Sequence, residues 1–378
     1  MRFDIQLDKV RSGFDGTYFW GQARAAVIPG DPPTGIITTQ RALRTGSDVY
    51  YAIAELRSDD GGRTWHDPVE HTDTLGRRDE PGGWQVAICD MTPAWHAPSG
   101  KLLATGHTVR YLDDRSPPPN RARETAWTVY DPDTRTWSPW DVLTVPNEPR
   151  LEAQGAGCTQ RCDLDDGTIL LPTYGKPRSD DHAAKHFATV TRCAFNGTTL
   201  RYLEHGNLLS VPDPRGCCEP SLTRFQGRFY LTIRNDVCGY VATSDDGLHF
   251  SDPIPWTFDD GTELGNYNTQ QHWVTHSDAL HLVYTRKGLN NDHVFRHRAP
   301  LMIAQVDPDR LCVRRETERE LVPNRGARLG NFGVCNATPN ETWVVVSEWM
   351  QPAGCEQHGS DNTIWLARLK WRTPNALG

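Results

Sequence analysis

Ser58-Asp-Asp-Gly-Gly-Arg-Thr-Trp65 is the stretch on which the fold turns. An Asp side chain in such a segment accepts hydrogen bonds from backbone N–H groups, a Gly takes φ > 0, and the closing aromatic packs into the neighbouring sheet. The physics is that of a hairpin turn between two strands. Ser244-Asp-Asp-Gly-Leu-His-Phe250 repeats it, and Asp131-Pro-Asp-Thr-Arg-Thr-Trp137 is a weaker third copy.

The spacing of the closing aromatics turns the motif into an architecture. Trp65 to Trp137 is 72 residues, Trp137 to Phe250 is 113, and Phe250 to Trp371 is 121. Each of the last two gaps holds two units of about 60 residues, so six units of about 63 account for the chain. The units without a motif are expected near Phe195 to Tyr202 and near Asp307 to Arg314, where turn residues separate strand-like runs. Six four-stranded antiparallel blades around an axis form an all-β, six-bladed β-propeller, which leaves only short sheet edges. No linker interrupts residues 1–378, and one domain is expected. The repeated turns are read as structural, and Pro117 to Pro119 as an exposed loop at a pocket rim.

Composition agrees and excludes alternatives. The 378 residues include 32 Gly and 27 Pro, about one residue in six, and 13 Trp against 4 Met. That balance suits strands and tight turns rather than helices. The net charge of -8 argues against a nucleic-acid partner, although 40 residues are Lys or Arg. The apolar runs are strand-length, so no membrane partner is expected, and the first residues lack the apolar core of a signal peptide, which favours a cytosolic location. The ten cysteines are scattered, without paired C-x-x-C sets, and read as mostly buried thiols. Neither a metal nor a cofactor is expected.

Arg24-Ala-Ala-Val-Ile-Pro29, Gly35-Ile-Ile-Thr-Thr-Gln-Arg41, and Asp48 ahead of the first turn motif together resemble the opening of the sialidase superfamily, whose Asp-box repeats the turns also match. The resemblance implies that Arg24 binds a substrate carboxylate, with Arg41 close by, and that Asp48 serves as general acid and base. Glu219-Pro-Ser-Leu-Thr-Arg-Phe-Gln-Gly-Arg-Phe-Tyr-Leu-Thr-Ile-Arg234 is similar to the segment carrying the family's catalytic Glu and second Arg. His297-Arg298-Ala-Pro-Leu301 resembles the strand with the third Arg. Three guanidiniums at an axis form a forked, always charged receptor that fits a carboxylate better than Lys does. An acidic mono- or oligosaccharide is the partner this implies.

One position departs from the family. Where its nucleophilic Tyr stands, this chain reads Arg328-Leu-Gly-Asn-Phe332-Gly-Val, and neither Phe332 nor Asn331 is an ordinary nucleophile; Asn331 can orient a water or a sugar hydroxyl. Tyr267 and Tyr174 are phenols from other blades, without support from spacing. Polar groups at expected strand ends supplement the set: Gln270-Gln271-His272, His107, His293 beside Arg296, Asp90 and Arg161. His272 is a candidate for proton transfer, Asp90, His107 and Arg161 are candidate substrate-binding residues, and Arg161 and Tyr174 are candidate pocket walls. Three readings stay open: a glycoside hydrolase acting on an acidic sugar, a uronate lyase using a His and a Tyr, and a glycan-binding propeller without catalysis.

Overall fold

Inner strands that are packed on both faces need continuous apolar runs rather than alternation, and Ala23 to Ile28 supplies one, interrupted only by the buried Arg24. In the computed structural model, which describes residues 3–46, 48–115, 123–148, 151, 153–177 and 185–377, such strands form six antiparallel sheets, mostly of four strands. Pro117 to Pro119 lie outside the described residues. The first blade runs Tyr18–Ile28, Thr34–Leu43, Tyr50–Ser58 and Val69–Glu70 from the axis outward. The second is built on Trp84–His96 and Lys101–Tyr111, the third on Gln154–Gly155 and Thr168–Gly175, the fourth on Cys218–Phe225, and the fifth on His272–His276. In the sixth, Phe332–Thr338, Glu341–Ser347 and Ile364–Trp371 are completed by Phe3–Arg11, so the two ends of the chain share one sheet.

The core is divided among the gaps between blades. Val274, Val283, Phe332 and Val344 fill the gap between the fifth and sixth blades, while Leu170, Leu222, Leu231 and Phe250 fill that between the third and fourth. The turn motifs clasp each blade to the one before it. In the first, Asp60 accepts hydrogen bonds from the Ser58 hydroxyl and from the Arg63 and Thr64 amides. Its Trp65 meets Trp343 of the sixth blade edge-on at 6.0 Å, and Arg368 donates to the carbonyls of Gly61 and Gly62. Gly62 has φ 77°, and a Cβ there would stand 2.8 Å from the Trp343 ring, so a glycine is required twice over. In the second blade Trp137 Nε1 donates to Glu55 of the first at 2.7 Å. The two motif-free units lie as expected, at the turns Phe195 to Leu200 and Asp307 to Cys312.

Trp343 is 1% exposed and receives Gly35, Gly62 and Trp65 from the first blade. Trp343→Ala is expected to lower the free energy of unfolding by about 3–5 kcal/mol, read by urea titration. A change under about 1 kcal/mol would show that the clasp between the sixth and first blades is dispensable.

Candidate functional site

Along the inner strands, two residues face one at the same height in blade after blade. The pairing shifts between Gly21 and Arg24, between Cys89 and Thr92, and between Cys218 and Ser221. The extra residues Gln22, Asp90 and Glu219 take φ of 61°, 56° and 43°, and Cys158 in the third blade takes 58°. Such a bulge re-aims a side chain that ordinary strand alternation sends elsewhere. All four line one axial cavity of about 590 Å³. Holding non-glycine residues in this region costs on the order of 1 kcal/mol each, a strain that clusters at functional sites.

One side of the cavity is cationic. Arg215, Arg234, Arg296, Arg298 and Arg328 line it. Asn268, itself at φ 56°, orients two of them: its Oδ1 accepts from Arg234 Nη2 at 2.9 Å and its carbonyl accepts from Arg298 Nε at 2.9 Å. Arg234 also pairs with Glu219 Oε1, while Glu219 Oε2 is buried without a hydrogen-bond partner among the described residues. Arg328 donates to Gln351 Oε1 at 2.8 Å and lies over Phe295 and Trp349. Among the described residues Arg296, Arg298 and Arg328 make no ion pair. Burial and then the neighbouring Arg234 and Arg328 push the Arg298 guanidinium well below its usual range. Burial brings Arg328 down to about 10, against the pull of Asp48 and with Arg296 adding to the fall. The excess of positive charge at Arg296, Arg298 and Arg328 is therefore a local one.

The rest of the lining is mixed. Asp48, at φ 55°, stands 3.5 Å from the Tyr50 hydroxyl, which accepts from Gln22 Nε2 at 3.0 Å. Asp90 Oδ2 lies 3.4 Å from His107 Nε2. Burial pushes the Asp90 carboxyl up to about 6, with Glu219 and Asp48 adding to the rise and Arg24 opposing it. Arg123 lies over Tyr174 with 4.9 Å to the ring centroid.

Of the residues singled out in the sequence, Asp48, Asp90, His107, Glu219, Arg234, Arg298 and Asn331 line this cavity, as does Tyr174. Others do not. Arg24 is 0% exposed beneath the floor, where it donates to Gln22, Cys158 and Gln270; Gln22, two residues earlier on the bulge, takes the place on the cavity wall. Arg41 is held at the blade rim by Glu70 at 2.8 Å. Arg161 bridges blades through the Leu103 and Ala94 carbonyls and pairs with Asp163. Tyr267 binds His297 Nδ1 at 2.5 Å outside the cavity lining, and His293 sits on the surface against Asn324. His272 is buried, 2.7 Å from Ser221 Oγ and edge-on to Phe332 at 4.9 Å. Gln22, Arg123, Cys158 and Arg215 on the wall were not singled out in the sequence; Gln22 is brought there by a bulge, which is not written in residue type.

Burial and then Arg24 push the His272 imidazole down to about 3 from 6.5. A histidine depressed in the folded state takes up its proton first in the unfolded chain, so its neutral burial loses stability as pH falls from 6.5 toward 3. The stability advantage of the native chain over His272→Gln is therefore expected to shrink by about 1.4 kcal/mol per pH unit across pH 6 to 4.5, read by urea titration. A pH-independent difference would show that His272 carries its proton when folded.

No curated protein matches the sequence. Among solved structures, a protein of unknown function from Dyadobacter fermentans superposes with a TM-score of 0.63 at 13% identity, covering 97% of this chain and 99% of that one. NanB sialidase from Streptococcus pneumoniae gives 0.64 at 10% identity over 96% of this chain and 70% of its own. Trypanosoma rangeli sialidase gives 0.57 at 14% over 92% and 55%, so this chain spans about half of that enzyme. At these identities the likeness is one of fold. Among the described residues no helix is long and apolar enough to cross a membrane. The model of the BNR repeat-like domain matches residues 115–311, just over half of the chain, and with its clasped turns and six blades this protein belongs to that family.

Proposed function

We propose that the protein hydrolyses a glycosidic bond next to a carboxylate-bearing sugar bound in the axial cavity. The observation that carries the reading is the cationic wall, where Arg298 and Arg328 have only neutral hydrogen-bond partners and Arg234 is held by Asn268 beside them. Forked guanidiniums that lack an anion of their own bind one with two parallel hydrogen bonds. The structure of Trypanosoma rangeli sialidase with the inhibitor DANA shares this fold at a TM-score of 0.58. That likeness supports a sugar ligand without naming it.

In this reading Asp48 delivers the proton to the leaving oxygen. Glu219, paired with Arg234 through Oε1, takes a proton through its unpartnered Oε2 from a water that attacks the anomeric carbon. Water is assigned as the attacking group because Phe332 is fully buried against His272 and offers no phenol. An elimination reading has one observation in its favour: His107 and Tyr174, a base and a phenol, line the same cavity with ring centroids 6.3 Å apart.

Incubation with sialosides, other nonulosonates, glucuronides and acidic oligosaccharides separates these readings. Hydrolysis gives a new reducing end without near-ultraviolet absorbance, whereas elimination gives an absorbing unsaturated uronate. Binding of an acidic sugar with neither product would leave a lectin-like propeller. Arg298→Gln is expected to weaken an acidic ligand by about 10- to 100-fold, the worth of a hydrogen bond between charged groups, and its methyl ester far less; equal weakening would remove the carboxylate from the argument. Glu219→Gln is expected to lower kcat by about 10²- to 10⁴-fold, and unchanged turnover would exclude Glu219 from the chemistry.

A further inference from the structure

Three ligand types of different chemistry meet on one stretch of the cavity wall. Cys89 pairs with His107 across the antiparallel ladder, so both side chains leave the same face of the sheet. Asp90 follows directly, and regular alternation would send it to the other face. The bulge that ends at Thr92, with φ 56° at Asp90, turns it to the same side. As a result the Cys89 sulfur, an Asp90 carboxylate oxygen and a His107 ring nitrogen lie within 4.8 Å of one another, all on buried residues of the cavity wall.

The geometry and its surroundings are those of a built site. The Asp90 Oδ2 to His107 Nε2 distance is 3.4 Å, and two ligands each about 2.0–2.2 Å from a tetrahedral Zn²⁺ stand about 3.3–3.5 Å apart. Asp90 is 8% exposed, and its Oδ1 is buried without a hydrogen-bond partner among the described residues. Three glycines make the room. A Cβ on Gly157 would fall 2.0 Å from His107 Nδ1, one on Gly155 2.4 Å from the His107 Cβ, and one on Gly106 2.5 Å from the Cys89 carbonyl. The imidazole is thus positioned by the third blade as well as by its own strand.

We infer that Cys89, Asp90 and His107 bind one divalent ion of the zinc class, with its fourth position open to the axial cavity. A thiolate and a carboxylate supply two negative charges, matching the ion while Arg24 and Arg123 stand nearby. The sulfur selects Zn²⁺ or Co²⁺ over Mg²⁺ and Ca²⁺, which take six or more oxygen ligands. An open position beside three protein ligands is the arrangement in which zinc holds a water or a sugar hydroxyl. The inference does not depend on the proposed hydrolysis, since no sugar enters its test.

The full chain, reduced and stripped with a chelator, is titrated with Co²⁺. Tight binding of one ion per chain is expected, with a thiolate-to-cobalt band in the near ultraviolet and visible bands of tetrahedral strength. Cys89→Ser should abolish the charge-transfer band, and His107→Gln should weaken binding by more than about 10- to 100-fold, beyond the cost of losing an outer partner. Gly157→Ala removes no ligand, yet it should also weaken binding by displacing the imidazole. Absence of a thiolate-to-cobalt band in the native chain would overturn the inference whether or not the variants fold, and so would its survival in Cys89→Ser.

Discussion

Closure of the ring is the constraint on which everything else rests. Eight residue pairs between Phe3–Arg11 and Ile364–Trp371 put the first and last strands in one sheet. An open array would leave two apolar blade faces in water and no axial cavity at all. Closure is reinforced at the same seam by Trp343 and Arg368, which take the first turn motif of the chain into the sixth blade.

Closure brings the inner strands side by side, and their bulges decide what faces the axis. Three blades each give up one pairing step and gain one re-aimed polar side chain, Gln22, Asp90 or Glu219. Positive charge then accumulates from Arg215 to Arg328: Arg215 and Arg234 are paired with Asp236 and Glu219, whereas Arg298 and Arg328 are held by the neutral groups of Asn268 and Gln351. Mutual repulsion among Arg234, Arg298 and Arg328 disfavours their charged forms, and a bound anion would offset it. Asp48 and Glu219 both sit within electrostatic reach of Asp90.

The propeller was legible in the sequence because its turns are local. A Ser-Asp-Asp-Gly run closed by an aromatic needs no distant partner to be recognised, and even the motif-free units fell where the spacing put them. Order along the chain likewise brought Asp48, Glu219, Arg234 and Arg298 to one cavity. Arg24 was misplaced by two residues because a bulge inverts the in-and-out parity that reading along a strand assumes. Arg41 and Arg161 were misplaced because their partners, Glu70 and the carbonyls of Ala94 and Leu103, come from tertiary contacts. The convergence of Cys89, Asp90 and His107 was invisible for the same reason: ladder register and a bulge, rather than spacing, bring together residues 18 positions apart.

The central claim is that the cationic wall exists to hold a carboxylate. The measurement that tests it most directly is a crystal structure of the protein with a sialic or uronic acid at saturating concentration. The carboxylate oxygens are expected within about 3 Å of the Arg298 and Arg328 guanidinium nitrogens, with the sugar ring turned toward Asp48 and Glu219. A sugar bound with its carboxylate in solvent, or bound away from Arg298 and Arg328, would contradict it.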